Sequence, residues 1–253
     1  EPEYQKVLNR YIARLVSLKR PLDALRVLRQ EIDRNPNDEG LYERLAAFLQ
    51  QNRLDAEVEQ VYRRAIQQFG GTSWYDRLAR WYLRQKRMAE FQQLTREVVD
   101  IFSGSDLERY FREVVSQGAA AGAAMYLQVN LYAHQRFPNN LVFVRNLLNA
   151  YTTRGTADPA AWQRLLRRYW YFDDNLRATF FRFLAGSRQL DAELNEARNA
   201  APGNLAAVRF IAEAEAWRSH FEQAAPGFDA LAAQHPADAG IAGRAAALNR
   251  SLA

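Results

Sequence analysis

Apolar side chains recur along the chain at i, i+3, i+4 and i+7, the period of a helix face turned toward a core. In the stretch Leu41 to Phe69 the first stripe is Tyr42, Leu45, Ala46 and Leu49, and the second is Val58, Val61, Ala65 and Phe69. The stretch Trp74 to Phe102 repeats both without a gap. Tyr75, Leu78, Ala79 and Tyr82 answer the first stripe, and Phe91, Leu94, Val98 and Phe102 the second. Each stretch therefore predicts two amphipathic helices joined by a polar turn. A period in the low thirties with two helices per period predicts a helical solenoid, in which a hairpin buries its apolar faces by stacking on its neighbours.

The same unit can be followed along the rest of the chain. Leu8, Tyr11, Ile12 and Leu15, then Leu22, Leu25, Leu28 and Ile32, predict a first hairpin, with Pro21 at a helix start and Asn35-Pro36 closing it. Tyr110, Val114 and Val115 mark a helix that Gly118 is expected to end. Tyr126, Val129 and Ala133 mark its partner. The stretch Ala119 to Ala124 reads as alanine-rich helix or as a place of close helix approach. Leu141, Val144, Leu147, Leu148 and Tyr151 predict a further helix ended by Gly155, and Asp158-Pro159 starts another with Trp162, Leu165, Leu166 and Tyr169. The cluster Tyr169-Trp170-Tyr171-Phe172 is expected to pack on Phe180, Phe181 and Phe183 of the next hairpin, the alternative being a binding platform. That next hairpin, from Asn175 to Pro202, reads as short and irregular, the place for a bend. Val208, Ile211, Ala212, Ala224, Phe228, Leu231 and Pro236 restore the pattern.

These residues resemble the tetratricopeptide repeat family, whose pattern sets a small residue mid-way in helix A, an alanine and an aromatic in helix B, and a proline after it. Ala24, Leu28 and Pro36 fit those slots in the first repeat, and Ala46, Tyr62 and Ala65 in the second. Ala46, Ala79 and Ala212 keep the small slot small, which close crossing of helices A and B requires, although none is the family's usual glycine. The resemblance, to a divergent bacterial member, implies an all-α fold: a right-handed α-solenoid of stacked helical hairpins in a single domain over residues 1–253. The expected repeats are 5–38, 39–71, 72–104, 105–139, 140–174, 175–204 and 205–238, with a capping helix at 240–253.

Composition adds little to the architecture and something to the function. The chain has 253 residues, 48% of them hydrophobic and 25% charged, a globular balance without a membrane-length apolar run. The net charge of +5 is unevenly placed: residues 1–144 carry 21 basic and 18 acidic side chains, 145–188 carry 8 and 3, and 189–253 carry 5 and 8. Either an anionic partner or a solvated helix face accounts for the middle excess. Only Lys6, Lys19 and Lys86 are lysines. This arginine bias, with abundant alanine, suggests a GC-rich bacterial genome. With no cysteine, disulfides, thiolate nucleophiles and cysteine-held metals are excluded. The opening Glu1-Pro2-Glu3 suggests a mature or excised fragment.

No catalytic constellation is declared. His134, His220 and His235 are scattered, and neither HExxH nor a glycine-rich phosphate loop occurs. Asp173-Asp174 reads as a helix cap before an acid/base couple. No cofactor or metal is expected, and the chain is not expected to be an enzyme.

The resemblance implies instead a concave groove lined by the first helix of each hairpin. Its fifth frame position holds Asn9, Glu43, Asp76, Phe111, Arg145, Arg177 and Arg209, an acidic-to-basic order that would orient an extended peptide. Gln50, Arg80, Arg84 and Asn149 are expected beside it. Members that clamp a C-terminal carboxylate use lysine and asparagine at slots filled here by Asn9 and Ala13, so that clamp is not implied. The expected function is a scaffold for a protein or extended peptide partner, within a larger protein or complex in a bacterial cell-envelope or export system. The alternatives are a polyanion bound by the arginines of 145–188, and a regulatory segment of a larger enzyme. Nucleic acid is the less expected partner, since the repeats do not place the same side chains at matching positions.

Overall fold

The computed structural model describes residues 2–119 and 122–252; residues 120 and 121 of the alanine-rich stretch lie outside it. Every regular element among the described residues is helical, and no strand occurs. Packing divides the chain into two compact units, Glu1–Pro159 and Ala160–Ala253. No helix is long and apolar enough to cross a membrane among the described residues.

In the first unit the hairpins are α1 (Pro2–Ser17) with α2 (Pro21–Arg34), α3 (Glu39–Gln51) with α4 (Val58–Phe69), and α5 (Thr72–Arg84) with α6 (Met88–Ile101). A fourth follows, from α7 (Gly104–Tyr110) and α8 (Ser116–Ala119), joined through a π-turn at Phe111–Val115, with α9 (Ala123–Arg136); α10 (Leu141–Ala150) packs on α9. The second unit holds α11 (Pro159–Tyr169), the hairpin α12 (Asp174–Gly186) and α13 (Leu190–Ala200), the hairpin α14 (Leu205–Trp217) and α15 (Phe221–Gln234), and a closing helix α16 (Ala239–Leu252). That helix lies on α15 and buries Ile241 and Ala245.

The repeated stripes produce repeated contacts. Tyr42 meets Phe69 edge to face with ring centroids 5.1 Å apart, and Tyr75 meets Phe102, each 33 residues on, at 5.4 Å. Such pairs add about 0.5–1.5 kcal/mol each beyond the area they bury. Trp74, Leu78, Tyr82 and Phe91 fill the space between neighbouring helices and are fully buried. In the second unit Trp170 stacks on Phe180 at 5.3 Å and meets Phe181 edge-on at 5.4 Å, the packing expected of the aromatic cluster, whereas Phe172 is 42% exposed and Tyr171 lies against Phe172 and Arg209 instead.

The turns from the first helix of a hairpin to the second share one backbone solution. Lys19, Arg53, Lys86, Arg188 and Ser219 all sit at φ between 58° and 64°, in the left-handed region. In each case the following amide reaches back five residues: Arg20 to Leu15, Leu54 to Leu49, Arg87 to Tyr82, Gln189 to Leu184 and His220 to Glu215, at 2.8–2.9 Å. This is the Schellman closure, which satisfies helix-end carbonyls that otherwise lack partners. Four helices, α3, α10, α14 and α16, are opened by side chains two residues after a proline. Asp38, Asn140, Asn204 and Asp238 each accept a hydrogen bond from an amide of the first helical turn, following Pro36, Pro138, Pro202 and Pro236.

Several expectations are corrected. Leu22 and Tyr11, assigned to buried stripes, are 66% and 52% exposed, while Leu8, Leu15 and Leu25 carry the burial at that hairpin. Gly118 does not end its helix by a left-handed turn. It lies inside α8, where a Cβ would stand 2.8 Å from Met125 Cε, so its role is clearance. The helix expected to run to Gly155 stops at Ala150, because Thr153 and Thr156 donate their hydroxyls to the Asn149 and Ala150 carbonyls. The segment 175–202 is a regular hairpin with the same left-handed turn as the others. Irregularity falls instead at the π-turn, which buries Phe111 against Phe143 and so removes it from any open face.

Candidate functional site

Glu43 and Asp76, the acidic residues of the expected groove, are each engaged by an arginine one repeat further on. Arg77 donates to Glu43, and Arg109 donates to Asp76 at 2.7 Å and to Thr72 Oγ1 at 2.6 Å. Gln50 bridges likewise, donating to the Tyr62 hydroxyl at 3.0 Å and accepting from Arg84 at 3.1 Å. The second helices carry the same pattern, with Arg64 on Asp33 at 3.2 Å and Arg63 on Glu97 at 2.7 Å. Separations of 31–34 residues make this a ladder of charge pairs between adjacent repeats. At these partly exposed sites each rung is worth about 0.2–1 kcal/mol. The acidic end of the expected gradient is therefore neutralised within the fold. Of the remaining positions in this unit, Arg80 is half-buried on α5, and Asn9, Arg145 and Asn149 lie at the surface of α1 and α10.

In the second unit the structure brings Arg177 and Arg209 together, and adds two residues that sequence reasoning missed. Glu213, one turn beyond Arg209 on α14, is only 2% exposed. Its Oε2 lies 2.5 Å from Arg244 Nη2 on α16 and 3.1 Å from Arg177 Nε on α12. Asp174, at the start of α12, meets the same two guanidinium groups from the solvent side, contacting Arg177 closely and Arg244 at 3.4 Å. Arg209 differs. It makes no salt bridge among the described residues; its guanidinium carbon lies 4.8 Å from the centre of the Tyr171 ring, and its Nε is buried without a hydrogen-bond acceptor. Arg244 Nε is in the same condition, and so is Arg177 Nε, which lies close to Glu213 without a well-directed hydrogen bond to it.

Burial dominates the electrostatics. Desolvation lifts the Glu213 carboxyl above its ordinary range, although Arg244, Arg177 and Arg209 all pull it down. The same burial holds the Arg244 guanidinium below its ordinary value. Two hollows flank the Arg177–Glu213–Arg244 bridge. One, of about 580 Å³, is walled by Arg209, Tyr171, Phe172, Asp173 and Asp238. The other, of about 370 Å³, is mostly apolar, with Trp217, Phe221 and Leu248. Asp173 and Asp238 each have one carboxylate oxygen held as a helix cap, on the Leu176 amide and on the Gly240 and Ile241 amides. The role expected of Asp173 is thus the observed one.

Such an arrangement presents directed N–H donors in a partly desolvated hollow, which is chemistry for holding an oxyanion rather than for transferring a group. One sequence signal pointed here. Glu213 follows Arg209 by four residues inside the otherwise apolar run Val208, Ile211, Ala212. A glutamate in such a stripe needs a cation from another helix, and which helix supplies it depends on the tertiary fold.

No protein-family model matches the chain, and no curated protein does. Among solved structures it is similar to a chain of the structure titled "Structure of Naa15/Naa10 bound to HypK-THB", at 15% identity and a TM-score of 0.40. The match covers 97% of this chain and 39% of that one. At that score the likeness adds nothing to what the helices themselves show.

Proposed function

We propose that the chain is a non-enzymatic, tetratricopeptide-like scaffold that binds a protein or an extended peptide, with its principal contact in the cleft between α12, α14 and α16. The observation that carries this reading is Arg209, a half-buried cation without a carboxylate in a hollow whose other arginines are all paired. A guanidinium without a carboxylate partner in a partly desolvated hollow offers its terminal amino groups for charge-assisted hydrogen bonds to an incoming acceptor, worth about 1.5–3 kcal/mol. Arg80, Arg84, Arg145 and Asn149 supply further polar contacts on the first unit, where Gln50, Glu43 and Asp76 serve mainly between repeats. The arginine-rich, cysteine-free composition supports a bacterial cell-envelope assembly as the setting.

Peptide-display selection on the intact chain, followed by titration at rising salt, tests the proposal. Selected peptides are expected to bind with affinities that fall weakly with salt. Failure to select any peptide, together with binding of heparin or DNA on a steep log–log salt slope of about −0.9 per phosphate, would favour the polyanion reading and overturn this one.

A further inference from the structure

The two hollows are unlike in kind, and they share one wall. On one side of the Arg177–Glu213–Arg244 bridge stand Arg209 and the Tyr171 ring; on the other stand Trp217, Phe221 and Leu248, with the first two about 40% exposed. Large aromatic side chains left half in water beside a cation hollow are suited to a ligand with a charged end and a greasy end. Resting on the scaffold reading above, we infer that this cleft is a subsite for a peptide segment in which an oxyanion-bearing residue stands next to a bulky apolar one.

The donors fix the oxyanion's place. The buried Nε atoms of Arg177, Arg209 and Arg244 all lack an acceptor. Arg177 and Arg244, however, are each paired with Glu213 and Asp174, so Arg209, with no salt bridge among the described residues, is the cation whose terminal amino groups are open to a ligand. Stacking against Tyr171 orients its planar fork without engaging its N–H groups in carboxylate bonds. The cleft is not simply positive. Asp174, Asp173 and Asp238 stand on its wall and Glu213 within it, so binding rests on directed hydrogen bonds rather than on bulk charge. Two consequences follow. Affinity is modest, and removing a wall carboxylate strengthens it. Asp238 is the one to remove, because asparagine caps a helix as well as aspartate does.

The shared chemistry of the anion is a planar or tetrahedral oxyanion that accepts two N–H bonds, from a carboxylate side chain or from a phosphorylated one. Fluorescence anisotropy with four peptides, each flanked by glycines, separates the cases: Glu-Phe, Gln-Phe, Glu-Gly and phosphoserine-Phe. The Glu-Phe peptide is expected to bind the intact chain and to lose about tenfold on passing to Gln-Phe or Glu-Gly, the equivalent of about 1.4 kcal/mol. Arg209→Gln is expected to cost a similar factor, Leu248→Ala to weaken Glu-Phe but not Glu-Gly, and Asp238→Asn to tighten binding. The phosphoserine peptide binding more tightly than Glu-Phe would assign the oxyanion to a phosphate, the reverse order to a carboxylate. Thermal unfolding of each variant checks that it is folded. If the peptides bind but ignore Arg209→Gln and Asp238→Asn, the subsite is overturned and the scaffold reading stands. If display selects no peptide either, both fall.

Discussion

Arg77 of the first unit reaches one carboxylate, Glu43 of the preceding repeat, at a site open to water, whereas Arg177 and Arg244 of the second converge on a carboxylate that is only 2% exposed. The same pair of residue types therefore does two different jobs. In the ladder the desolvation cost is small and so is the gain, and the rungs serve mainly to keep repeats in register. Around Glu213 both are large, and the balance depends on every partner being present. Many weak pairs tolerate the loss of one; a single buried knot does not.

The sharpest way to break the comparison is to remove the buried carboxylate. Glu213→Ala leaves Arg177 and Arg244 facing each other without their common counter-charge and is expected to cost about 3–5 kcal/mol, read from the urea midpoint. Next comes a packing variant in the same unit. Gly227 faces Ala212 where α14 and α15 cross, and a Cβ there would lie 2.7 Å from the Ala212 Cβ. Gly227→Val is expected to cost about 1–3 kcal/mol through forced separation of the helices, seen as a lower melting temperature.

A pH series asks which form of Glu213 the fold prefers. Its folded pKa is raised, so above the ordinary glutamate value of about 4.3 the native state binds more protons than the unfolded one. Stability is expected to fall as pH rises through that window, by at most about 1.4 kcal/mol per pH unit, and Glu213→Gln should flatten the slope. If stability instead rises there and Glu213→Gln leaves the profile unchanged, the carboxylate is held ionised by its arginines. The smallest effect belongs to the ladder. A double-mutant cycle of Glu43→Gln with Arg77→Gln, the rung most open to water, is expected to give a coupling of about 1 kcal/mol or less, shrinking in high salt.

The helical hairpins were legible because their signal is local and periodic. Tyr42 with Phe69 and Tyr75 with Phe102 could be paired by counting, and the structure puts each pair in ring contact. Half of the cleft was legible as well, since Arg177 and Arg209 share a frame position. Glu213 and Arg244 were not, because they belong to helices joined only by the fold. The neutralisation of Glu43 and Asp76 was also hidden: Arg77 and Arg109 are ordinary surface arginines until two repeats are laid side by side. The π-turn escaped notice for a different reason. A single extra residue per turn changes no residue type, so Phe111 looked exposed by its frame position while the wider turn carried it inward.

The turns closed by Lys19, Arg53, Lys86, Arg188 and Ser219 each leave three residues before the next helical turn begins. With both amides of the joint engaged, an insertion at such a place would unwind helix ends on both sides. The links that return from one hairpin to the next vary in length, from two residues at 70–71 to four at 235–238. A fluorophore, an epitope or a grafted domain is therefore best placed in the two-glycine link 70–71, which carries no side-chain cap and faces open space, and will be rejected at Lys86 or Ser219.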